Sequence, residues 1–237
     1  MANLYAKPSI KSEITSQILY GEKFKILNKG KNWLKVKTSY DNYIGFLKFH
    51  RLSVGKFKPS HKVFKLKNKI YKKINNEFLP LKSFLYFGTK ISALNSNRFF
   101  YEFEKNKWIK KKDLKSINYV EKNFLKIFKL FLNTKYLWGG KTSNGIDCSA
   151  MIQIYFFFND IFYPRDTKDQ IRFLRKNKKK RLYKRLKLLY WNGHVAACLN
   201  KTSLIHAYGP KKKVVIMGKA KTIEEIKKNA KLNLKKI

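Results

Sequence analysis

The sequence predicts an α+β protein in which small all-β units come first and a mixed domain of helices and antiparallel strands follows. Three observations predict it. Short aromatic and β-branched runs, divided by turn residues, fill the first 117 positions. Apolar residues then fall at helical spacing from about residue 118, followed by a dense apolar run at 149–158. Beyond it, residues 194–199 alternate with period two and are answered by an apolar run at 204–208.

The N-terminal elements follow one pattern. Residues 17–20, 23–27, 33–36 and 43–47 are brief strands, separated by turn residues at 21–22, 28–32 and 40–42. Such spacing points to a small barrel or sandwich. The unit recurs at an offset of 66 positions: Tyr5 is matched by Tyr71 and Tyr20 by Tyr86. Trp108 closes the second unit as Tyr43 to Phe46 close the first. Two copies indicate tandem β domains, residues 1–55 and 62–117, rather than a solenoid, which needs at least three.

The third domain, residues 118–237, opens with a helix over 118–131, where Val120, Phe124, Ile127, Phe128 and Phe131 share a face. A loop with Gly139, Gly140 and Gly145 leads to Asp147-Cys148, and residues 149–158 form a buried helix. Residues 194–199 and 204–208 are strands joined by a turn at 200–203, and 214–217 make a third strand. Thr222 and Glu225 have the spacing of a capping box opening a last helix over 223–234.

Composition bounds the function. The chain has 237 residues, 44% hydrophobic and 16% aromatic, which excludes a disordered protein. Lys and Arg number 55 against 14 acids, a net charge of +41. A polyanion, an anionic membrane surface or an acidic substrate would suit that charge, as would compositional drift, since lysine is spread throughout. Residues 172–187 form a basic run, read as a solvated segment rather than a phosphate site. Two cysteines exclude a disulfide framework. The first residues lack the charged and apolar regions of a signal peptide, so the expectation is a cytoplasmic protein, with export as the alternative if the start codon is misplaced. The run at 151–158 is too short to span a bilayer, so no membrane insertion is expected.

The chemistry centres on Cys148. A cysteine nucleophile acts as a thiolate and needs help to ionise near neutral pH. A helix N-terminus supplies positive potential and an imidazole supplies a partner. Asp147 is a good N-cap for the helix that starts at Cys148, and the glycines before it let the chain turn into a cleft. This position predicts a depressed thiol pKa. His194, at the head of a strand, is the expected base. His206, on the returning strand, is expected to orient the His194 ring from its Nδ1 side. A turn near Lys201 leaves the two histidines out of direct opposition, so a bulge or another turn is required. Cys198 reads as a small core residue. Cys148, Cys198, His194 and His206 lack the paired spacing of a zinc site, so no metal or cofactor is expected. His50 and His61 are given no role.

These residues resemble the NlpC/P60 family of cysteine peptidases. The matching string is Tyr136-x-Trp138-Gly139-Gly140, Gly145-Ile146-Asp147-Cys148-Ser149, Pro164-Arg165-Asp166, Gln170, Trp191-x-Gly193-His194-Val195 and Ile205-His206-Ala207. Leu4-Tyr5, Leu19-Tyr20-Gly21-Glu22, Trp33 and Asp41-x-Tyr43-x-Gly45 resemble the bacterial SH3-like domains found before it, and 62–117 resembles a diverged second copy. The resemblance implies two SH3-like β-barrels followed by a papain-like peptidase domain. It implies an endopeptidase or dipeptidyl-peptidase that hydrolyses γ-D-glutamyl–diamino acid bonds in murein peptides. It matches Cys148, His194 and His206 to the catalytic triad, Tyr136 to a tyrosine near the oxyanion, and Ser149 and Trp138 to the substrate-binding positions. Substrates with a free N-terminal L-Ala would place their amine on Asp147, aided by Glu22 and Tyr43. Departures are Ala150 and Ala196 where glycine is usual, and a missing Gly-Asp pair in 186–190.

Two rivals stand beside this reading. A non-catalytic binder of wall fragments would leave the Cys148–His194–His206 set without a purpose. A protein driven to nucleic acid or membrane surfaces by its charge would bind with steep salt dependence, but no nucleic-acid motif is present. The expected partner is a murein-derived peptide, and the sequence leaves the oligomeric state open.

Overall fold

The computed structural model describes residues 1–49, 57–177 and 186–235. His50, the end of the first expected domain and residues 178–185 of the basic run lie outside the described residues. The chain divides into two compact units, Met1–Val120 and Glu121–Ile237.

In the first unit, β1 (Ala2–Tyr5), β2 (Ile14–Ile18), β3 (Phe24–Lys29), β4 (Trp33–Thr38) and β5 (Ile44–Lys48) form an antiparallel sheet in the order β2-β1-β5-β4-β3. Alternation decides the faces: Leu34, Val36 and Thr38 of β4 are buried while Lys35 is exposed. Leu4, Ile18, Leu34, Val36 and Leu47 make this core.

The same unit continues with β6 (His61–Val63), β7 (Lys67–Ile74), β8 (Glu77–Tyr86), β9 (Lys90–Ile91), β10 (Asn95–Ser96), β11 (Phe100–Glu104), β12 (Lys107–Lys110) and β13 (Leu114–Ser116). Its five-stranded sheet runs β8-β7-β12-β11-β10, the order of the first sheet strand for strand, and β13-β6-β9 form a second sheet. The 66-residue echo has a structural counterpart. Tyr5 of β1 faces Phe46 of β5, and Tyr71 of β7 faces Trp108 of β12. After the second strand of each sheet, Gly21 and Gly88 take positive φ, 75° and 80°. Val63, Ile70, Leu85, Phe103 and Ile109 belong to the second core.

The second unit begins with α1 (Phe124–Leu130), six residues later than the apolar spacing predicts. The reason is Asn123, whose side chain accepts the N–H groups of Leu125 and Lys126 and so fixes the start. A short ladder of β14 (Lys141–Thr142) and β15 (Gly145–Ile146) precedes α2 (Cys148–Phe158), which is buried all round, as its apolar run requires. Then come α3 (Thr167–Lys176) and an antiparallel sheet in sequence order, β16 (Leu188–Trp191), β17 (His194–Cys198), β18 (Ser203–Tyr208) and β19 (Lys213–Gly218). The last helix, α4, is Lys219–Ala230. It starts at Gly218 rather than Thr222, and the Thr222 hydroxyl donates to the Gly218 carbonyl one turn back, so the capping-box reading is corrected. Helix α2 packs on β17 and β18. Among the described residues no helix is long and apolar enough to cross a membrane.

Candidate active site

The loop before the nucleophile is held by its backbone. The Tyr136 N–H donates to the Lys212 carbonyl at 2.8 Å, and the Leu137 N–H to the Ile146 carbonyl at 3.2 Å. The turn closes so tightly that a Cβ on Gly140 would sit 2.4 Å from the Gly145 carbonyl oxygen. Only glycine fits there without moving backbone. The loop thus delivers Asp147 as N-cap and Cys148 as the first residue of α2.

Asp147 is buried and fully engaged. Its Oδ1 accepts the Ala150 N–H at 2.8 Å, the Ser149 hydroxyl at 3.1 Å and Arg165 Nη1 at 3.0 Å. Its Oδ2 accepts the Gly139 N–H at 3.0 Å and Arg165 Nη2 at 2.6 Å. The Ser149 hydroxyl also accepts from Arg165 Nη1 at 2.9 Å. This corrects two sequence expectations. Asp147 is not a carboxylate held open for a substrate ammonium, because a bidentate guanidinium already neutralises it. Ser149 is not a free substrate contact, because its one proton goes to Asp147 inside the core.

Cys148 lies against the backbone on both sides of His194. Its Sγ stands 3.8 Å from the Gly193 carbonyl oxygen, and the Val195 N–H points at the sulfur. Gly193, with φ of 76°, makes the turn that joins β16 to β17 and sets His194 at the strand's head. His194 Nε2 lies 2.9 Å from His206 Nδ1. His206 therefore holds the Nε2 side of the ring, not the Nδ1 side expected from sequence. No bulge is needed. Ala197 pairs with Ile205 and Cys198 with Leu204, a register that puts the histidines on a diagonal within side-chain reach.

The electrostatics correct one more expectation. Burial, then the Asp147 carboxylate, push the Cys148 thiol up to about 12, against the pull of Arg165 and of the Val195 and Ser149 N–H groups. Burial brings His194 down to about 4, and burial with His194 beside it brings His206 down to about 3. Burial thus favours the neutral thiol and the neutral imidazoles. The depressed thiol pKa predicted from the helix terminus is overridden by desolvation.

The remaining candidates are placed as follows. The Tyr136 phenol is raised by burial first, then by Cys148 and Asp147, so it stays a donor near the sulfur. Trp138 is 55% exposed on the loop. In the first unit, one Glu22 oxygen accepts the Leu19 N–H at 3.0 Å, and Tyr43 packs on the first core. Cys198 is buried, and desolvation raises its thiol.

Sequence reasoning gave no role to Arg165, Gln170 or Met217. Arg165 and Gln170 stood in the recognised string, and a lone buried carboxylate before the nucleophile was the signal that a cation must answer it. Gln170 Nε2 donates to the carbonyls of Ser149 and Pro164, both at 3.0 Å, tying α3 to the start of α2. Strand β16 was also missed, although Asn192-Gly193 between apolar runs is a hairpin signal.

Fold and site together define a papain-like cysteine peptidase domain preceded by SH3-like β domains. Residues 133–229 match the NlpC/P60 family, and residues 4–52 match the bacterial dipeptidyl-peptidase Sh3 domain. Residues 133–229 thus form a domain of the NlpC/P60 family. The chain is 25% identical over 233 residues to dipeptidyl-peptidase 6 of Lysinibacillus sphaericus, covering 87% of this chain and 84% of that protein. An NlpC/P60 family protein from Bacillus cereus has a similar fold, with a TM-score of 0.69 at 20% identity over 86% of this chain and 77% of its own. So does an NlpC/P60 endopeptidase from Photobacterium damselae subsp. piscicida, with a TM-score of 0.62 at 13% identity, covering 99% and 68%.

Proposed function

We propose that this enzyme hydrolyses the γ-D-glutamyl–diamino acid bond of murein peptides that carry a free N-terminal L-Ala. The observation that carries the chemistry is the His194 Nε2 to His206 Nδ1 contact of 2.9 Å, with the Cys148 sulfur 3.8 Å from the carbonyl of the neighbouring Gly193, and we assign Nδ1 of His194 to the thiol. His194 Nδ1 takes the thiol proton as Cys148 Sγ bonds to the scissile carbonyl carbon. The backbone N–H of Cys148 and the Tyr136 hydroxyl stabilise the oxyanion. The C–N bond breaks as His194 returns the proton to the leaving amine. Water, with its proton taken by the same nitrogen, then hydrolyses the thioester.

The substrate assignment is supported by the relative named dipeptidyl-peptidase, since removing a dipeptide demands a free amine at its start. Glu22 and Tyr43 fall in the matched Sh3 domain. A charge of +41 suits a peptide with several carboxylates. The test compares L-Ala-γ-D-Glu-diamino acid with its N-acetyl form. Loss of an ion-paired contact predicts a fall of roughly a hundredfold in kcat/KM on acetylation. Equal rates on both peptides would overturn the free-amine requirement.

A further inference from the structure

We propose that Met217 is a positioning residue: its thioether fixes the tautomers of both histidines so that His194 presents a bare Nδ1 to Cys148. The proposal rests on the peptidase reading above. His206 is buried in β18, and its two ring nitrogens have different neighbours. Nδ1 lies 2.9 Å from His194 Nε2, and Nε2 lies 3.3 Å from Met217 Sδ. Met217 comes from β19, where it pairs with Leu204, one step diagonal from His206.

A thioether sulfur has no proton to give; it only accepts. The nitrogen facing it gains a partner if it carries hydrogen, and is a buried orphan if it does not. His206 therefore holds its proton on Nε2 and donates to Sδ. A neutral imidazole has one N–H, so His206 Nδ1 is the acceptor in the contact with His194. His194 must then donate from Nε2, which leaves its Nδ1 without a proton. The opposite arrangement would place the His206 proton on Nδ1 and the His194 proton on Nδ1 also. His194 would then face the thiol with an N–H and could not take its proton. One weak acceptor at the far end of the chain thus decides whether the near end is a base.

The neighbouring aromatic ring leaves this role to the sulfur. Tyr208 stacks on His206 with centroids 4.6 Å apart, but its hydroxyl donates to Glu225 Oε1 at 3.1 Å. Among the described residues Met217 is the partner of His206 Nε2.

The experiment is a long-range 1H–15N NMR spectrum of the imidazoles at neutral pH, assigned against His206→Asn, alongside steady-state kinetics on the full chain. In the wild type both His194 and His206 should be Nε2–H tautomers. Met217→Leu keeps the volume and removes the acceptor. It should show Nδ1–H population on His206 and a fall in kcat of about tenfold with KM and melting temperature unchanged. Met217→Gln, whose carbonyl accepts, should restore the Nε2–H tautomers and most of kcat. An Nδ1–H tautomer on either ring of the wild type overturns the proposal. So does a Met217→Leu protein with unchanged tautomers and kcat. If no murein peptide is cleaved while the tautomers behave as stated, the tautomer assignment stands and the peptidase reading fails.

Discussion

Cys148 sits where the N-terminal N–H groups of α2 favour an anion, yet burial and Asp147 hold its thiol near 12. Activation must then come as the proton passes to His194 during attack. In free enzyme, alkylation of Cys148 by iodoacetamide should keep accelerating with pH through the alkaline range, since the thiolate fraction grows up to about 12. A rate that levels off near neutral pH would show a resting ion pair instead. Cys148→Ala should abolish hydrolysis with the fold intact, and Cys198→Ala should keep most of it; equal losses would refute the assignment. The histidines also write a pH signature on stability. Their folded values, about 4 and about 3, lie below the ordinary 6.5. As pH falls below about 6.5 the unfolded chain takes up protons that the folded one refuses, so stability is full above that value and drops toward pH 4. Urea midpoints measured between pH 7.5 and 4.5 should fall accordingly, and less steeply in His206→Asn. A flat midpoint across that range would contradict the buried neutral pair.

A buried ion pair joins the elements that carry the site. Arg165 stands just before α3 and Asp147 caps α2, and their side chains are 1% and 7% exposed. Two charge-assisted bonds at 2.6 and 3.0 Å satisfy both groups. Removing one partner strands the other charge in the core. Arg165→Met should therefore cost about 3–5 kcal/mol in chemical denaturation and loosen the N-terminus of α2. Arg165→Lys should recover only part, since an ammonium cannot span both carboxylate oxygens in one plane. If Arg165→Met unfolds at the wild-type midpoint, the pair is not what anchors Cys148. Gln170 adds a second tie from the same helix to the Ser149 carbonyl, and the Tyr190 hydroxyl of β16 donates to Gln170 Oε1 at 3.2 Å. The nucleophile's helix is thus fixed to a helix and a strand that had no role in the sequence reading.

For the whole molecule, the +41 charge acts on encounter rather than on chemistry. A carboxylate-rich peptide should bind more weakly as salt screens the field, so KM should rise between low and physiological ionic strength while kcat stays level. A kcat that falls with salt, at constant KM, would mean that the charge shapes the catalytic step. The N-terminal unit carries two five-stranded sheets of one strand order, and the second is joined by the short strands β13, β6 and β9. Lysines occupy the outward positions of β4 and β7 while the buried ones, Leu34, Val36, Thr38, Asn68 and Ile70, carry no charge, so in these strands the charge excess stays outside the cores.

By itself the sequence determined the elements whose signals are local. Period-two alternation marked β4 and β17, a dense apolar run marked α2, glycines marked the loop before Cys148, and a 66-residue echo marked the second β unit. Helix α3 left a weaker trace because few of its positions meet the core, and β16, though its end is buried, is only four residues long. The sequence also named Cys148, His194 and His206, since residue types and order survive without coordinates. What only the tertiary structure decided was which atom meets which. Arg165 takes both oxygens of Asp147, His206 holds Nε2 of His194 rather than Nδ1, and Met217 closes the chain. Burial then reversed the expected ionisation of Cys148. These outcomes depend on distances between residues far apart in the chain and on exclusion of water around them, and neither quantity exists until the chain has folded.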